Sequence, residues 1–477
     1  MNLIDARTLL EQWGQEHVMH FVDRLSAVEQ AELMHQIADI DFQTLDRLVK
    51  TWVLSEPAPE SFTKIEPVNV IPPVDESRAD AREAKAAGEA ALRAGRVGCV
   101  LVAGGQGTRL GYDGPKGAYP IGPVSKRSIF SYHAEKILNL NRTYGCRIPW
   151  YIMVSNTNAE ETENFFAEHD YFGLEAEDIV FFQQKMSPCV DEQGKLMLEE
   201  PGVLAMNPNG HGGSILALVD EGIIADARKR GVDTLSYFQV DNWAVKVADP
   251  YFIGYHLLAG SEMSSKVHRK KAVRESVGIH CVCDGEYCVI EYSELDLSPQ
   301  LLEVDADGAP VHFAGNPAIH VFSVDFIQRV YNHFDAFPWH RAHKKIPYIN
   351  EHGDIVKPDK PNGYKFETFI FDALRLCKTM PVALEILEAG EYTPIKQFDG
   401  DNSVVAARRS QSNLWGTWLE GAGYTVPRNG DGHVSINLEI SPAYALTKDE
   451  FIAKAKDKGL DTSKSLFIGP EGEVVHG

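Results

Sequence analysis

The chain is poor in positive charge: 46 Lys and Arg stand against 68 Asp and Glu, a formal net charge of −22. That field repels nucleic acid and anionic membrane surfaces, so neither is expected as a partner. Long apolar runs are missing as well. No stretch reaches the roughly 18 consecutive apolar residues that a membrane-spanning helix needs. The opening MNLIDARTLLEQWGQEHVMHF has early acids and no apolar core of signal-peptide length, which predicts a cytoplasmic protein. Cysteine is scarce and odd in number, seven in 477 residues, without the spacing of a disulfide framework; reduced thiols are expected. Internal repeats and low-complexity tracts are also lacking. What remains is ordinary globular composition, 44% hydrophobic and 24% charged, in a chain too long for one core.

The chain divides into three expected parts: a helical region with a proline-rich linker over 1–94, a central α/β domain over 95–390, and a small C-terminal domain over 391–477. In the first, Leu9, Leu10, Trp13, His17, Phe21 and Leu25 recur at spacings that predict helix. Pro57, Pro59, Pro67, Pro72 and Pro73 exclude continuous helix after them. A helix over 77–94 follows, with Ser77 as expected N-cap and Gly95 as stop. From Val97 short apolar runs (97–103, 150–155, 179–184, 235–240) alternate with helical stretches (near 128–140, 159–168, 213–229). This is the pattern of a doubly wound, mostly parallel sheet. Residues 265–295 read instead as antiparallel strands, with a hairpin turn at Asp284-Gly285.

Ligands of such sheets bind at the carboxyl ends of the strands, and the sharpest motifs fall there. The first, LVAGGQGTRLGYDGPKGAYP, packs six glycines, Arg109 and Lys116 into the stretch from Leu101 to Pro120. It misses the dinucleotide fingerprint, because a leucine, Leu110, takes the third glycine's place. It misses the P-loop, because Gly117 rather than Ser or Thr follows the lysine. Physically it still offers a concave row of unobstructed N–H groups, with a guanidinium that forks onto phosphate oxygens and an ammonium that supplies a point charge. Asp241 ends the strand LSYFQV, where a carboxylate facing a phosphate loop suits a divalent cation. Gln183 and Gln184 end IVFFQQ, and a carboxamide both donates and accepts hydrogen bonds. Two clusters read as structural. Cys281, Cys283 and Cys288 alternate around the hairpin as small buried residues. His340 and His343 in WHRAHKK could share one helix face but have no third ligand.

The loop resembles the signature of the eukaryotic-type UDP-sugar pyrophosphorylases, G-G-x-G-T-x-[LM]-G-x-x-x-P-K, and most resembles the UDP-N-acetylglucosamine pyrophosphorylases. FFQQKMSPC, PNGHGG, QVDNWAVKVADPYFIGY, CVIEYSEL, FAGNPAIHVF, HKKIPYI, KPDKPNGYKFETFIFD and EYTPIKQFD follow in register over 97–399. The resemblance implies a nucleotide-sugar transferase fold (GT-A-like) and a uridylyltransferase that makes UDP-sugar and pyrophosphate from UTP and a sugar 1-phosphate. It implies Mg²⁺ as cofactor, on Asp241. Ala103, Gly104, Gly105, Gln184, Gly210, Asp241 and Lys365 would bind the nucleotide. Arg109, Lys116 and Lys396 would serve catalysis, Lys396 facing the sugar phosphate. Glu291, Tyr292, Gly315, Asn316, Phe369 and Phe371 would meet the sugar.

One position departs. Where the acetylglucosamine enzymes carry Asn, this chain has His211, as the UDP-glucose enzymes do in a similar P-G-H-G-D stretch. Gly212 and Gly213 then continue as in the acetylglucosamine group. N-acetylglucosamine 1-phosphate is the expected sugar substrate and glucose 1-phosphate the alternative. A glycosyltransferase is disfavoured, since Asp241-Asn242-Trp243 lacks the second acid of a D-x-D motif. A non-catalytic regulator is disfavoured because Arg109, Lys116, Asp241 and Lys396 are all present. Oligomeric state is not legible.

Overall fold

A computed structural model describes residues 1–55, 60–456 and 458–477. The prolines 57 and 59 of the expected linker lie outside the described residues. The chain forms two compact units, one of residues Met1–Ser61, Gln184–Ala217 and Val330–Ala373, the other of Phe62–Gln183, Leu218–Arg329 and Leu374–Gly477.

The larger unit is built on a 12-stranded sheet. Val97–Val102 runs parallel to Trp150–Val154, and that strand to Ile179–Gln183; on its other side Val97–Val102 runs parallel to Thr234–Gln239. These strands are near-continuous apolar runs because the sheet buries both faces: Leu101, Trp150, Ile152 and Phe238 are fully buried. Chain order moves outward from Val97–Val102 and then returns to its other flank. The sheet therefore reverses direction between Val97–Val102 and Thr234–Gln239, the place where α/β sheets open a ligand crevice.

Beyond Thr234–Gln239 the sheet becomes mixed. His320–Ser323 and then Met263–Arg269 continue it antiparallel, and Val382–Ile386 joins Met263–Arg269 in parallel. The antiparallel stretch read over 265–295 is thus part of the same sheet. Its hairpin forms as expected, Cys283 opposite Glu286, with Asp284 and Gly285 both at positive φ. Pro67 ends the strand Ile65–Pro67, which edges the sheet against Cys281–Cys283, and Pro72 and Pro73 follow the short strand Val70–Ile71. Helix Val404–Gly421 and the small sheet of Leu438–Ile440, Leu466–Ile468 and Val474–His476 share the core of this unit, through Trp415, Leu438 and Ile468.

Several local expectations are corrected. The helix read over 77–94 spans Ala79–Arg93, and Arg78, not Ser77, is its N-cap; the Ser77 amide instead donates to Asp75. Gly95 ends it with φ +69°. In the smaller unit, the N-terminal helical stretch is three helices, Leu3–Gln12, Ala27–Ala38 and Phe42–Trp52, joined by 3-10 turns. His340–Lys344 is a strand, so His340 and His343 cannot share a helix face. The helix near 213–229 breaks into Ser214–Asp220 and Ile223–Lys229 around Gly222. Finally, Cys283 and Cys288 form a disulfide, with the Cys281 sulfur 3.3 Å from that of Cys288. Pairing across the hairpin sets Cys281 opposite Cys288 and brings all three sulfurs to one face. No helix among the described residues is long and apolar enough to cross a membrane.

Candidate functional site

The glycine loop leaves Val97–Val102 at the sheet reversal and folds back on itself. The Gly107 amide donates to the Gly114 carbonyl at 2.9 Å, and the Lys116 amide to the Gly105 carbonyl at 3.1 Å. A buried residue that sequence reasoning missed braces it. Asn158 donates from its carboxamide to the Ala103 carbonyl at 2.8 Å and to the Gly105 carbonyl at 3.4 Å, and accepts from the Ser155 amide. Asn158 stands where a helix N-cap belongs, yet its side chain turns away from that helix and toward the loop. Nothing local in the sequence signals this. Gly105 faces open space, so its backbone is accessible. Gly117 is there for a different reason: a Cβ would fall 2.2 Å from the Phe130 ring.

Lys116 and Asp241 come together, Nζ to Oδ2 at 3.5 Å, both mostly buried. Arg109 is exposed on the same loop, in the turn Thr108–Leu110, and among the described residues no carboxylate pairs with it. Lys396 is exposed on an irregular segment docked to the Asp241 backbone: the Ile395 amide donates to the Asp241 carbonyl at 2.9 Å. One carboxylate, then, pairs with one cation, Lys116; Arg109 stands on the same loop and Lys396 follows a segment whose backbone meets that of Asp241. The groups that could enclose a metal with protein atoms are Cys281/Cys283/Cys288 and His268/Glu275/Glu388, among the described residues, and neither includes Asp241. A single carboxylate beside a cationic phosphate loop suits a cation that shares its ligands with phosphate and water, as Mg²⁺ does.

Glu291, Gly315 and Asn316 meet around a second residue not foreseen, Gly278. The Asn316 amide donates to the Gly278 carbonyl at 2.9 Å, and a Cβ on Gly278 would fall 2.9 Å from Glu291 Oε1. Gly315 pairs across the sheet with Ile279 and His268. Tyr292 extends into solvent, 49% exposed. Glu291 also stands at the N-cap of the short helix Tyr292–Leu297, where its amide donates to the Glu294 carboxylate at 3.4 Å.

The remaining predicted residues gather in the smaller unit. Gln184, buried, donates to the Gly210 carbonyl at 2.9 Å. Gly210 has φ +81°, and a Cβ there would fall 2.3 Å from the Thr368 carbonyl oxygen, so the protein backbone itself demands glycine. The Gly212 amide donates to Thr368 and the Thr368 amide to the Asn209 carbonyl, which locks the PNGHGG loop to the segment bearing Phe369. Lys365 donates to Asn207 Oδ1 at 3.0 Å.

His211 is held from three sides. Its Nδ1 accepts the Ile370 amide at 3.1 Å, so in the neutral ring Nε2 carries the proton. Its ring stacks on Phe369 at 5.4 Å and tilts against Phe371 at 5.6 Å. Burial, and then the nearby His340 charge, push the imidazole down to about 4, so it is neutral at pH 7. His340 stacks on the far aromatic neighbour, Phe369, at 4.3 Å and bonds Asp372 at 2.8 Å. Phe371 is core, whereas Phe369 keeps one part of its ring exposed.

The chain is 34% identical to the human UDP-N-acetylhexosamine pyrophosphorylase-like protein 1, over 92% of each chain. It is also 34% identical to the UDP-N-acetylglucosamine pyrophosphorylase of Saccharomyces cerevisiae, over 97% of this chain and 99% of that one. The crystal structure of the uridine diphosphate N-acetylglucosamine pyrophosphorylase from Trypanosoma brucei in complex with inhibitor is similar in fold. Its TM-score is 0.82 at 26% identity, covering 98% of this chain and 99% of that one. Residues 51–415 match the UTP–glucose-1-phosphate uridylyltransferase family. The chain belongs to the UTP–glucose-1-phosphate uridylyltransferase family, a family of nucleotidyltransferases.

Proposed function

We propose that the protein transfers the uridylyl group of UTP to a sugar 1-phosphate, giving UDP-sugar and pyrophosphate, with N-acetylglucosamine 1-phosphate as the sugar substrate. The observation that carries the reaction is the pairing of Lys116 with Asp241 at the sheet reversal, on a glycine loop whose Gly105 faces open space. The names of near full-length relatives at 35% and 34% identity support the acetylated sugar.

A non-bridging oxygen of the sugar phosphate attacks the α-phosphorus of UTP. The bond from that phosphorus to the β-phosphate oxygen breaks, and pyrophosphate leaves with the electron pair. The attacking oxygen is already ionised, so no general base is needed; catalysis is alignment and charge neutralisation. In this reading Ala103, Gly104 and Gly105, with Arg109 and Lys116, hold the triphosphate; the Ala103 amide already donates to the Met153 carbonyl, so the two glycines supply the N–H groups. Lys365 adds charge for phosphate, and Lys396 brings in the sugar phosphate. Gln184 and Gly210 take the uracil. His211, Glu291, Tyr292, Gly315, Asn316, Phe369 and Phe371 take the sugar. UDP-sugar pyrophosphorylases use a divalent metal; Mg²⁺ on Asp241 would neutralise charge on the triphosphate.

A second reading, glucose 1-phosphate, is favoured by His211. A neutral imidazole fixed by Phe369 and Ile370 presents one N–H donor, which serves a sugar hydroxyl as readily as an acetyl carbonyl. The test is pyrophosphate release from UTP and Mg²⁺ with a panel of sugar 1-phosphates. Release is expected to be fastest with N-acetylglucosamine 1-phosphate; a higher kcat/KM for glucose 1-phosphate would establish the second reading, and no release with any sugar would overturn both.

A further inference from the structure

Lys396 has an unusual support. It is exposed, and the segment around it, 392–403, contains neither helix nor strand. A lysine on such a segment ordinarily loses much rotamer and backbone freedom if it is to meet a substrate in one place. Here a few anchors do the holding, and they converge on the residue beside Asp241.

Asn242 is 3% exposed. Its Nδ2 donates to the Glu391 carbonyl at 2.7 Å and its Oδ1 accepts the Thr393 amide at 3.0 Å. Its backbone bridges Pro394 antiparallel, and the next amide, Ile395, donates to the Asp241 carbonyl. One carboxamide therefore grips the 391–395 segment at two points two residues apart, immediately before Lys396. The start of that segment is fixed in turn. Glu391 is buried, and its carboxylate meets Lys246 at 2.8 Å and also the fully buried Lys266. Lys266 is shared with Asp249 at 2.6 Å. Burial alone would raise the Glu391 carboxyl, yet Lys246 and Lys266 hold it at about 2. The anchor is thus an ionised, fully paired group whose separation would leave a buried charge uncompensated.

We propose that Asn242 is a positioning residue: it registers Lys396 against Asp241, so that the second phosphate arrives where the loop and Asp241 hold the first. This rests on the uridylyl-transfer reading above. It also explains the residue type. The position needs one donor and one acceptor on a short stem. Aspartate would set a carboxylate oxygen against the Glu391 carbonyl with no proton between them, so a second acid is excluded at this site on structural grounds.

The strand bearing Asp241 is held by the sheet; the Lys396 amide donates to the Asn402 carbonyl at 2.7 Å, but the chain entering Lys396 is tied to the Asp241 side through Asn242 and the Ile395 amide. Loss of Asn242 should therefore damage delivery of the sugar phosphate more than binding of UTP. The experiment is a double-mutant cycle of Asn242→Ala with Lys396→Ala, reading kcat/KM for the sugar 1-phosphate and the UTP affinity by calorimetry. Asn242→Ala alone is expected to lose at least about tenfold in kcat/KM, the scale of two buried hydrogen bonds, with UTP affinity within about threefold. In the Lys396→Ala background the same substitution should cost almost nothing further, because the group it positions is gone. Losses that multiply in full would overturn the proposal. Should the alanine variant not fold, Asn242→Ser, whose hydroxyl fills part of the space and is too short to make both bonds, carries the same cycle. Amide exchange gives a readout apart from activity: in Asn242→Ala or Asn242→Ser the 392–396 peptide should exchange at least about tenfold faster, with 234–239 unchanged. Unchanged exchange over 392–396 would also overturn it. A wild-type protein that releases no pyrophosphate would instead remove the reaction reading on which it rests.

Discussion

Lys116 Nζ lies 3.5 Å from Asp241 Oδ2, though 125 residues separate them in the chain. They meet because Val97–Val102 and Thr234–Gln239 are adjacent parallel strands, with Val102 opposite Gln239, and both end at the same edge. The pair is mostly shielded from water, so the charge of each is felt strongly by any third ion that enters. A triphosphate approaching Lys116 and a cation approaching Asp241 each find an electrostatic reason to displace the internal pair.

Removal of the lysines should cost turnover more than nucleotide binding, because two anions must be brought together at the transition state. Lys116→Ala and Lys396→Ala are each expected to lose at least about 100-fold in kcat/KM. Steady-state pyrophosphate release checks this, and near wild-type turnover in both would sink the assignment.

Asp241→Asn keeps shape and a hydrogen-bonding group but loses the formal charge that holds a cation. The Mg²⁺ concentration for half-maximal activity should rise by about 10–100-fold, the usual range when support for a bound metal is removed. A titration of activity against Mg²⁺ reads it. An unshifted titration would place the cation elsewhere.

Asn158→Ala leaves the glycine loop's sequence intact but removes its brace at Ala103 and Gly105. KM for UTP should rise by about five- to tenfold, the scale of one lost buried hydrogen bond. KM for the sugar 1-phosphate should stay near its wild-type value. Equal increases in both would mean general loosening of the unit instead.

His211 ties stability to acid. Unfolded, an imidazole takes up a proton near pH 6.5; in the folded protein burial and His340 delay this to about 4. Between those values the unfolded chain binds more protons, so acidification from about 6.5 toward 4 destabilises the fold, and the full contribution is present above 6.5. His211→Asn removes this term. Thermal melts over pH 4–7 should show Tm falling less steeply in the variant than in the wild type. Parallel curves would show that His211 does not titrate differently on folding.

A phosphate-binding loop was legible in the chain because its chemistry is written locally, and the reaction followed from the family that the motifs resemble. Six glycines with an arginine and a lysine at fixed offsets, a carboxylate ending an apolar strand and an amide ending another are short-range patterns. The α/β alternation was legible for the same reason, since burial of both sheet faces leaves unbroken apolar runs. Much of the rest was decided by tertiary structure, through contacts between distant parts of the chain. Asn158 could not be told from an ordinary helix cap until the loop it braces lay beside it. Glycine at 210 and 117 answers to Thr368 and Phe130, neighbours 158 and 13 residues away. WHRAHKK reads as well on a helix as on a strand, and its pairing with Gly363–Glu367 decides for strand. Asn242, which in sequence is only the missing second acid of a metal motif, becomes an anchor once Glu391 and Thr393 are brought to it. A side chain's residue type determines which bonds it can make, but only the fold determines which partners are within 3 Å to make them.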